Sequence, residues 1–285
     1  MPSLTLLALA AALQSGGSEP FVWKEVVPAG TTVEVRGIIG SIRAVAAGGR
    51  EVEILGTRHR GKNGDPAAVE VRVIRESSRI IICTIYPRDG RWNQDGGESK
   101  RDSCERAQDN GPRVRNGNDT RIDYEVRVPA GVNFVGQTVT EGVVLDGLRG
   151  NAEGYSVAGD VRISDVRGVA VDAASISGDI TFDRVDATQV YAGTLSGNVQ
   201  FTGSVHQQGD YSFLTYTGEL SVALPANSGV TLSVISPRDG LHSSVALTPV
   251  NQGPRRRRFS GRQGNGSARM SLTTLNGEVV IRGAE

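Results

Sequence analysis

Two aspartates, Asp179 and Asp183, stand four residues apart in SISGDITFDRV (175–185), a run otherwise rich in Ile, Phe and Val. Paired carboxylates are what glycosidic cleavage uses, one protonating the leaving oxygen while the other attacks or activates water. The outward slot two positions before that of Asp183 holds Arg162, Thr181 and Gln200 in successive strand-like runs. These residues can be read as the site of a carbohydrate-active enzyme or as a polar strip that binds without reacting.

The surrounding sequence separates the two readings, because the phrase recurs. Aligned on one glycine, the chain reads VAGDVRISDV (157–166), SISGDITFDRV (175–185), TLSGNVQFTG (194–203), TYTGELSVAL (215–224) and TLNGEVVIRG (274–283). The turn glycines are Gly159, Gly178, Gly197, Gly218 and Gly277. IGSIRAV (39–45) and EGVVLDG (141–147) are weaker copies. A catalytic pair is singular, but these positions are periodic. The slot of Asp179 is filled elsewhere by Asp160, Asn198, Glu219 and Glu278, and that of Asp183 by Ser164, Thr202 and Ala223. A short polar residue after a turn glycine is expected to hydrogen-bond its own backbone. No catalytic residue is assigned, and Arg162, Thr181, Gln200 and Asp183 are read as ligand-binding candidates.

Other chemistry finds no foothold. GKNGD (61–65) lacks the lysine–hydroxyl ending of a phosphate loop, and no GxSxG elbow occurs. His59, His206 and His242 are scattered, so no metal is expected, and no cofactor.

The elements that must carry these positions follow from the same repeat. After each glycine, apolar residues alternate with polar ones, as in Val161/Ile163, Ile180/Phe182 and Val199/Phe201. Period two means a short strand with one buried and one wet face. Val169/Val171 and Val190/Ala192 suggest a second strand per copy. About 20 residues then form one coil of a β-solenoid, its copies stacked at about 4.8 Å. VPAGTTVEV (27–35), VPAGVNFVG (128–136) and LPANSGVTLSV (224–234) add a proline-led turn before an alternating strand.

Two stretches break the rhythm. Residues 86–120 read as a long polar excursion, and residues 252–268, with Arg255, Arg256, Arg257 and Arg258, as a solvated basic loop able to meet a polyanion. Cys83 and Cys104, the sole cysteines of a chain read as exported, are expected to pair, which would contribute roughly 3 kcal/mol. Lys+Arg and Asp+Glu balance at 31 each, which gives no reason to expect nucleic acid. Leu4–Leu13 is too short an apolar run to span a bilayer and ends in small residues, as a signal peptide does, although no basic residue precedes it. The expected organisation is a signal peptide over 1–19, an N-terminal β region over 20–126 and β-solenoid repeats over 127–285, continuous with it. PFVWKEVVPAG (20–30) is a candidate cap.

The VPAG-then-strand phrase, the [ST]-x-[ST]-G-[DNE]-[IV]-x-[IFV] copies and the closing TTLNGEVVIR together resemble the bacterial "putative adhesin" β-strand-repeat family. The resemblance covers most of 22–283 and implies an all-β, single-stranded, right-handed parallel β-helix in the cell envelope. It carries over no catalytic or ligand residues. The function expected is a non-catalytic exported interaction protein binding a cell-envelope polymer or protein. The alternatives are a β-helix polysaccharide lyase or hydrolase, or a self-assembling envelope scaffold.

Overall fold

The computed structural model describes residues 19–86, 117–237, 239–252 and 256–284. Residues 1–18 of the expected signal peptide, most of the 86–120 excursion, Cys104 and Arg255 lie outside these residues. The described residues form twenty-two strands, β1–β22 in chain order, and one 3-10 turn, Pro66–Ala68. The architecture is all-β and solenoid-like, with two sheets facing each other across one core.

In spatial order the first sheet starts with β1 (Phe21–Val26), β4 (Glu51–His59), β7 (Arg121–Val128) and β3 (Ile42–Ala46). It continues with β9 (Val143–Asp146), β11 (Val161–Ser164), the start of β13 (Ile180–Ser196) and β14 (Val199–Gly203). It ends with β16 (Leu220–Pro225), β22 (Val279–Ala284) and β18 (Leu241–Ser243). The second sheet opens with β5 (Glu70–Arg75), β6 (Arg79–Ile85), β2 (Thr32–Arg36) and β8 (Asn133–Gln137). Next come β10 (Ala152–Tyr155), β12 (Arg167–Ser177), the end of β13 and β15 (Asp210–Thr217). It closes with β21 (Ala268–Asn276), β17 (Val230–Pro237), β20 (Arg256–Gln263) and β19 (Leu247–Gln252). Pairing is parallel through the body of both sheets; the antiparallel pairs lie toward the sheet ends.

Spatial order departs from chain order at both ends. The closing copy, β21 with β22, stacks directly on β15 and β16, and β17 and β18 lie beyond it. Likewise β2 and β3 sit between β6/β7 and β8/β9. The segment expected as a basic loop is a strand over Arg256–Gln263, held between β17 and β19. Its alternation explains this: Phe259 pairs with Val234 and packs on the core, and Arg258 is exposed. One apolar anchor and two partner strands outweigh the local excess of charge and glycine.

The core holds the inward residues that the repeat predicted. Val161, Ile163, Ile180, Phe182, Val199, Phe201, Leu220 and Val222 are all at most 1% exposed. Phe201 of the first sheet and Phe213 of the second have ring centroids 4.9 Å apart, so the aromatics bridge the sheets. Burying each such side chain stabilises by about 1.5–3 kcal/mol. Phe21 is buried and Trp23 packs on the core from the edge strand β1. Cys83, 3% exposed, forms a second small buried cluster with Ile81.

Two corners connect the sheets in each coil. At the first, a Ser or Thr three residues before the glycine points inward and donates to a carbonyl of the preceding coil. Ser175 Oγ donates to Gly159 O (3.0 Å), Thr194 Oγ1 to Gly178 O (3.0 Å), Thr215 Oγ1 to Gly197 O (2.8 Å) and Thr274 Oγ1 to Gly218 O (3.2 Å). At the second corner Gly147, Asp165 and Arg184 take positive φ, 72°, 54° and 52°.

Candidate binding faces

The two aspartates that raise the question of catalysis have separate partners. Asp179 does not bond its own backbone as expected; its Oδ1 accepts the N–H of Asn198 in the next coil at 2.7 Å. Asp160 does the same for Asp179 (2.9 Å), and Asn198 for Glu219 (2.9 Å). In a parallel stack the nearest unsatisfied N–H is the one a coil away, so the side chain ties coils rather than closing a turn. Asp183 is bound on both oxygens: Thr202 Oγ1 donates to Oδ1 at 3.0 Å and Arg184 to Oδ2 at 2.5 Å. Arg184 also grips Asp165 through two donors, at 2.7 and 2.6 Å, holding its carboxyl below the usual carboxylate range. Both oxygens of Asp183 are thus engaged within the protein.

The sequence-predicted strip is brought together on the outer side of the first sheet. Arg162 pairs with Thr181, Thr181 with Gln200 and Gln200 with Ser221 in one straight row. Ser164 and Asp183 are paired in the next row, as are Thr202 and Ala223. Arg162 and Gln200 are exposed, Thr181 and Asp183 half-buried. Arg257 and Arg258 are not part of this strip. They lie on β20, in the second sheet.

The outer side of the second sheet carries a feature the sequence reading missed. Val157, Ile176, Leu195 and Tyr216 are 37%, 52%, 54% and 47% exposed. Ser175, Thr194, Thr215 and Thr274 are in register, so Ile176, Leu195, Tyr216 and Leu275, one position on, stand side by side facing outward. Val157 extends the column, since its carbonyl accepts the N–H of Ser177 at 2.8 Å. Tyr191 and Leu214, 42% and 39% exposed, broaden it. The signal was present in the motif: the x of [ST]-x-[ST]-G is Ile, Leu and Tyr in three copies, and Val157 and Leu275 fill the same slot in SVAG and TLNG. Because the hydroxyl residue before it is buried, strand alternation turns that x outward.

Charge is uneven along this face. At one end Glu153 and Asp172 are cross-strand neighbours, and Asp172's carboxyl is raised by burial and by Glu153. At the other end Arg258 is exposed beside Ile235. Neither Asp172 nor Arg258 has an ion-pair partner among the described residues.

Elsewhere, His206 Nε2 meets Asp186 Oδ1 at 2.6 Å and His59 meets Asp123 at 3.1 Å, at well-separated places on the solenoid. An open depression at the edge of the first sheet holds Glu219, Glu278, His242 and Arg282. Among the described residues no group of three or more His, Cys, Asp or Glu is placed to hold a metal ion. None of the helices there is long and apolar enough to cross a membrane.

With both corners and both faces described, the comparison with known families is informative. Residues 144–282 match the model of the family described as Toastrack DUF4097. Through this segment the chain is similar to the Toastrack family. The Toastrack match opens in β9 and closes in β22, so it takes in the regular parallel coils and the re-entrant closing copy. No curated protein matches the chain. Among solved structures, a putative cell adhesion protein from Clostridium sporogenes is 9% identical, with a TM-score of 0.37 over 93% of this chain and 100% of that one. A putative adhesin from Bacteroides fragilis is 13% identical, with a TM-score of 0.36 over 94% of this chain and 99% of the other. At these scores the likenesses carry no argument about what the present chain binds.

Proposed function

We propose that this chain is a non-catalytic, exported interaction protein that holds an extended cell-envelope polymer or protein along the outer polar rows of its first sheet. The observation that carries this reading is the register Arg162–Thr181–Gln200–Ser221, which sets donors and acceptors in a straight row at about 4.8 Å per coil. A flat periodic row suits a repeating or extended partner better than a compact substrate. The engagement of both Asp183 oxygens supports a non-catalytic role. In the same reading the coils are of about 20 residues and right-handed, residues 1–19 are removed on export, and Cys83 pairs with Cys104.

The test is retention of bacterial and host glycans, and of envelope proteins, by residues 20–285 and by the double variant Arg162→Ala/Gln200→Ala. Saturable binding reduced at least tenfold in the variant is the expected result. Product release from a polysaccharide, abolished by Asp183→Asn, would replace the reading with an enzymatic one. Alkylation of the unfolded, unreduced protein should find no free thiol if the cysteines pair.

A further inference from the structure

The apolar column on the second sheet is carried by a different face from the binding strip, and its surroundings specify what covers it. Two outward rows cross the seven strands β10, β12, β13, β15, β21, β17 and β20 in register, and a third runs beside them over five positions. One runs Glu153, Asp172, Tyr191, Ser212, Ser271, Ser233, Ser260. The next runs Tyr155, Ala174, Gly193, Leu214, Thr273, Ile235, Arg258. The third is the column from Val157 to Leu275. Within these three rows the middle of the face is apolar or hydroxylic and uncharged, the row beyond Ser212 and Ser271 holding the Asp210–Arg269 ion pair; the β10 and β12 end is acidic, and the β20 end carries Arg258.

The geometry points to a second copy of this chain as the occupant, the two second sheets packing face to face about a two-fold axis that runs parallel to the strands through β15. Such an axis keeps each row on itself and reverses the order of strands. Tyr216 then meets Tyr216 of the partner subunit, and Leu195 meets the partner's Leu275 region. Glu153 and Asp172 come opposite the Arg258 end of the other copy, so the carboxylate and guanidinium without ion-pair partners here find them in the dimer. The other in-plane two-fold, perpendicular to the strands, would set acidic end against acidic end and is disfavoured. A self-complementary patch of this kind is what an isologous interface requires, and two flat, twisted sheets pack well at about 10 Å.

Size predicts how tight the association is. Seven strands at about 4.8 Å and five residues at about 3.3 Å give a footprint on the order of 500 Å². That is below the roughly 800 Å² per partner of a standard stable interface. The dimer should be weak and concentration-dependent, with Kd on the order of 100 µM.

Sedimentation of residues 20–285 from about 5 µM to about 1 mM tests this. A reversible monomer–dimer transition is expected, weakened about tenfold or more by Leu195→Asp and severalfold by Arg258→Glu. Asp172→Arg combined with Arg258→Glu should restore part of the loss. Far-UV circular dichroism of each variant separates lost association from lost fold. Ser212→Cys, close to the axis, should give a covalent dimer on oxidation and Thr181→Cys, on the first sheet, should not; this readout does not depend on the Leu195 variant folding. A monomer throughout the range overturns the proposal. So does a dimer indifferent to Leu195→Asp and Arg258→Glu, or cross-linking through Thr181→Cys alone. Because the Arg162→Ala/Gln200→Ala variant should dimerise normally while losing its partner, the two proposals fail separately.

Discussion

The two corners of each coil do the same topological job by opposite means. At the glycine corner the chain comes so close to the coil before it that a Cβ on Gly218 would be driven into the carbonyl oxygen of Gly197, and φ there is +144°. At the other corner two residues with full side chains, Asp165 and Arg184, accept positive φ and pair with each other in solvent. The first corner is set by backbone contact and buried hydroxyls, the second by exposed charge. A corner fixed by the backbone leaves no freedom of residue type; one fixed by side chains tolerates substitution, because each exposed ion pair adds little.

The largest effect should come from breaking the first corner. Gly218→Ala combines a steric clash with backbone and a disfavoured φ, and is expected to cost about 3 kcal/mol or more, read as a fall in the urea midpoint or as loss of soluble protein. Thr215→Val keeps shape and burial and removes one hydrogen bond; a loss of about 1–2 kcal/mol is expected by denaturant unfolding. At the second corner Arg184→Gly exchanges an ion pair for a residue at ease with positive φ, and Tm should move by no more than about 3 °C. A fall as large as that of Gly218→Ala would mean that the corners are equivalent.

The smallest effect concerns the acidic end of the second sheet. Asp172's raised carboxyl disfavours its charged form in the folded state, so that group's contribution is most favourable below its usual value and is lost as pH rises through the raised one. Asp172→Asn should therefore stabilise dilute, monomeric protein by a few tenths of a kcal/mol at pH 7, an advantage that vanishes near pH 3. A gain that persists at pH 3 would trace to something other than charge.

Much of the fold was readable from period and repetition. Alternation assigned Ile180/Phe182 and Val199/Phe201 to the core, and the weaker copies at 39–45 and 141–147 do stack in register on each other and on Val161. What escaped was relational. Asx residues at the turn were expected to act locally because sequence shows neighbours along the chain, not across coils. Arg256–Gln263 looked like a loop because the strands that hold it are supplied by the tertiary structure. The apolar residue two before the turn glycine was visible in each of these copies, yet its outward direction depends on the hydroxyl before it turning in, which only the carbonyl ladder of the preceding coil explains.

The position of the closing copy also sets an order of events. β21 and β22 fill the gap between β15/β16 and β17/β18, so β17, β19 and β20 can pair with one another but, with β18, cannot join the body of the solenoid until residues 268–284 have emerged. A chain threading out of a ribosome or a translocation pore can build its coils one by one as far as β16 and then must wait. During that interval β15 and β16 present open strand edges, the condition in which β proteins mispair. The last turn of the solenoid to be synthesised is thus an interior one, and its arrival is the step that commits the molecule to its native stack.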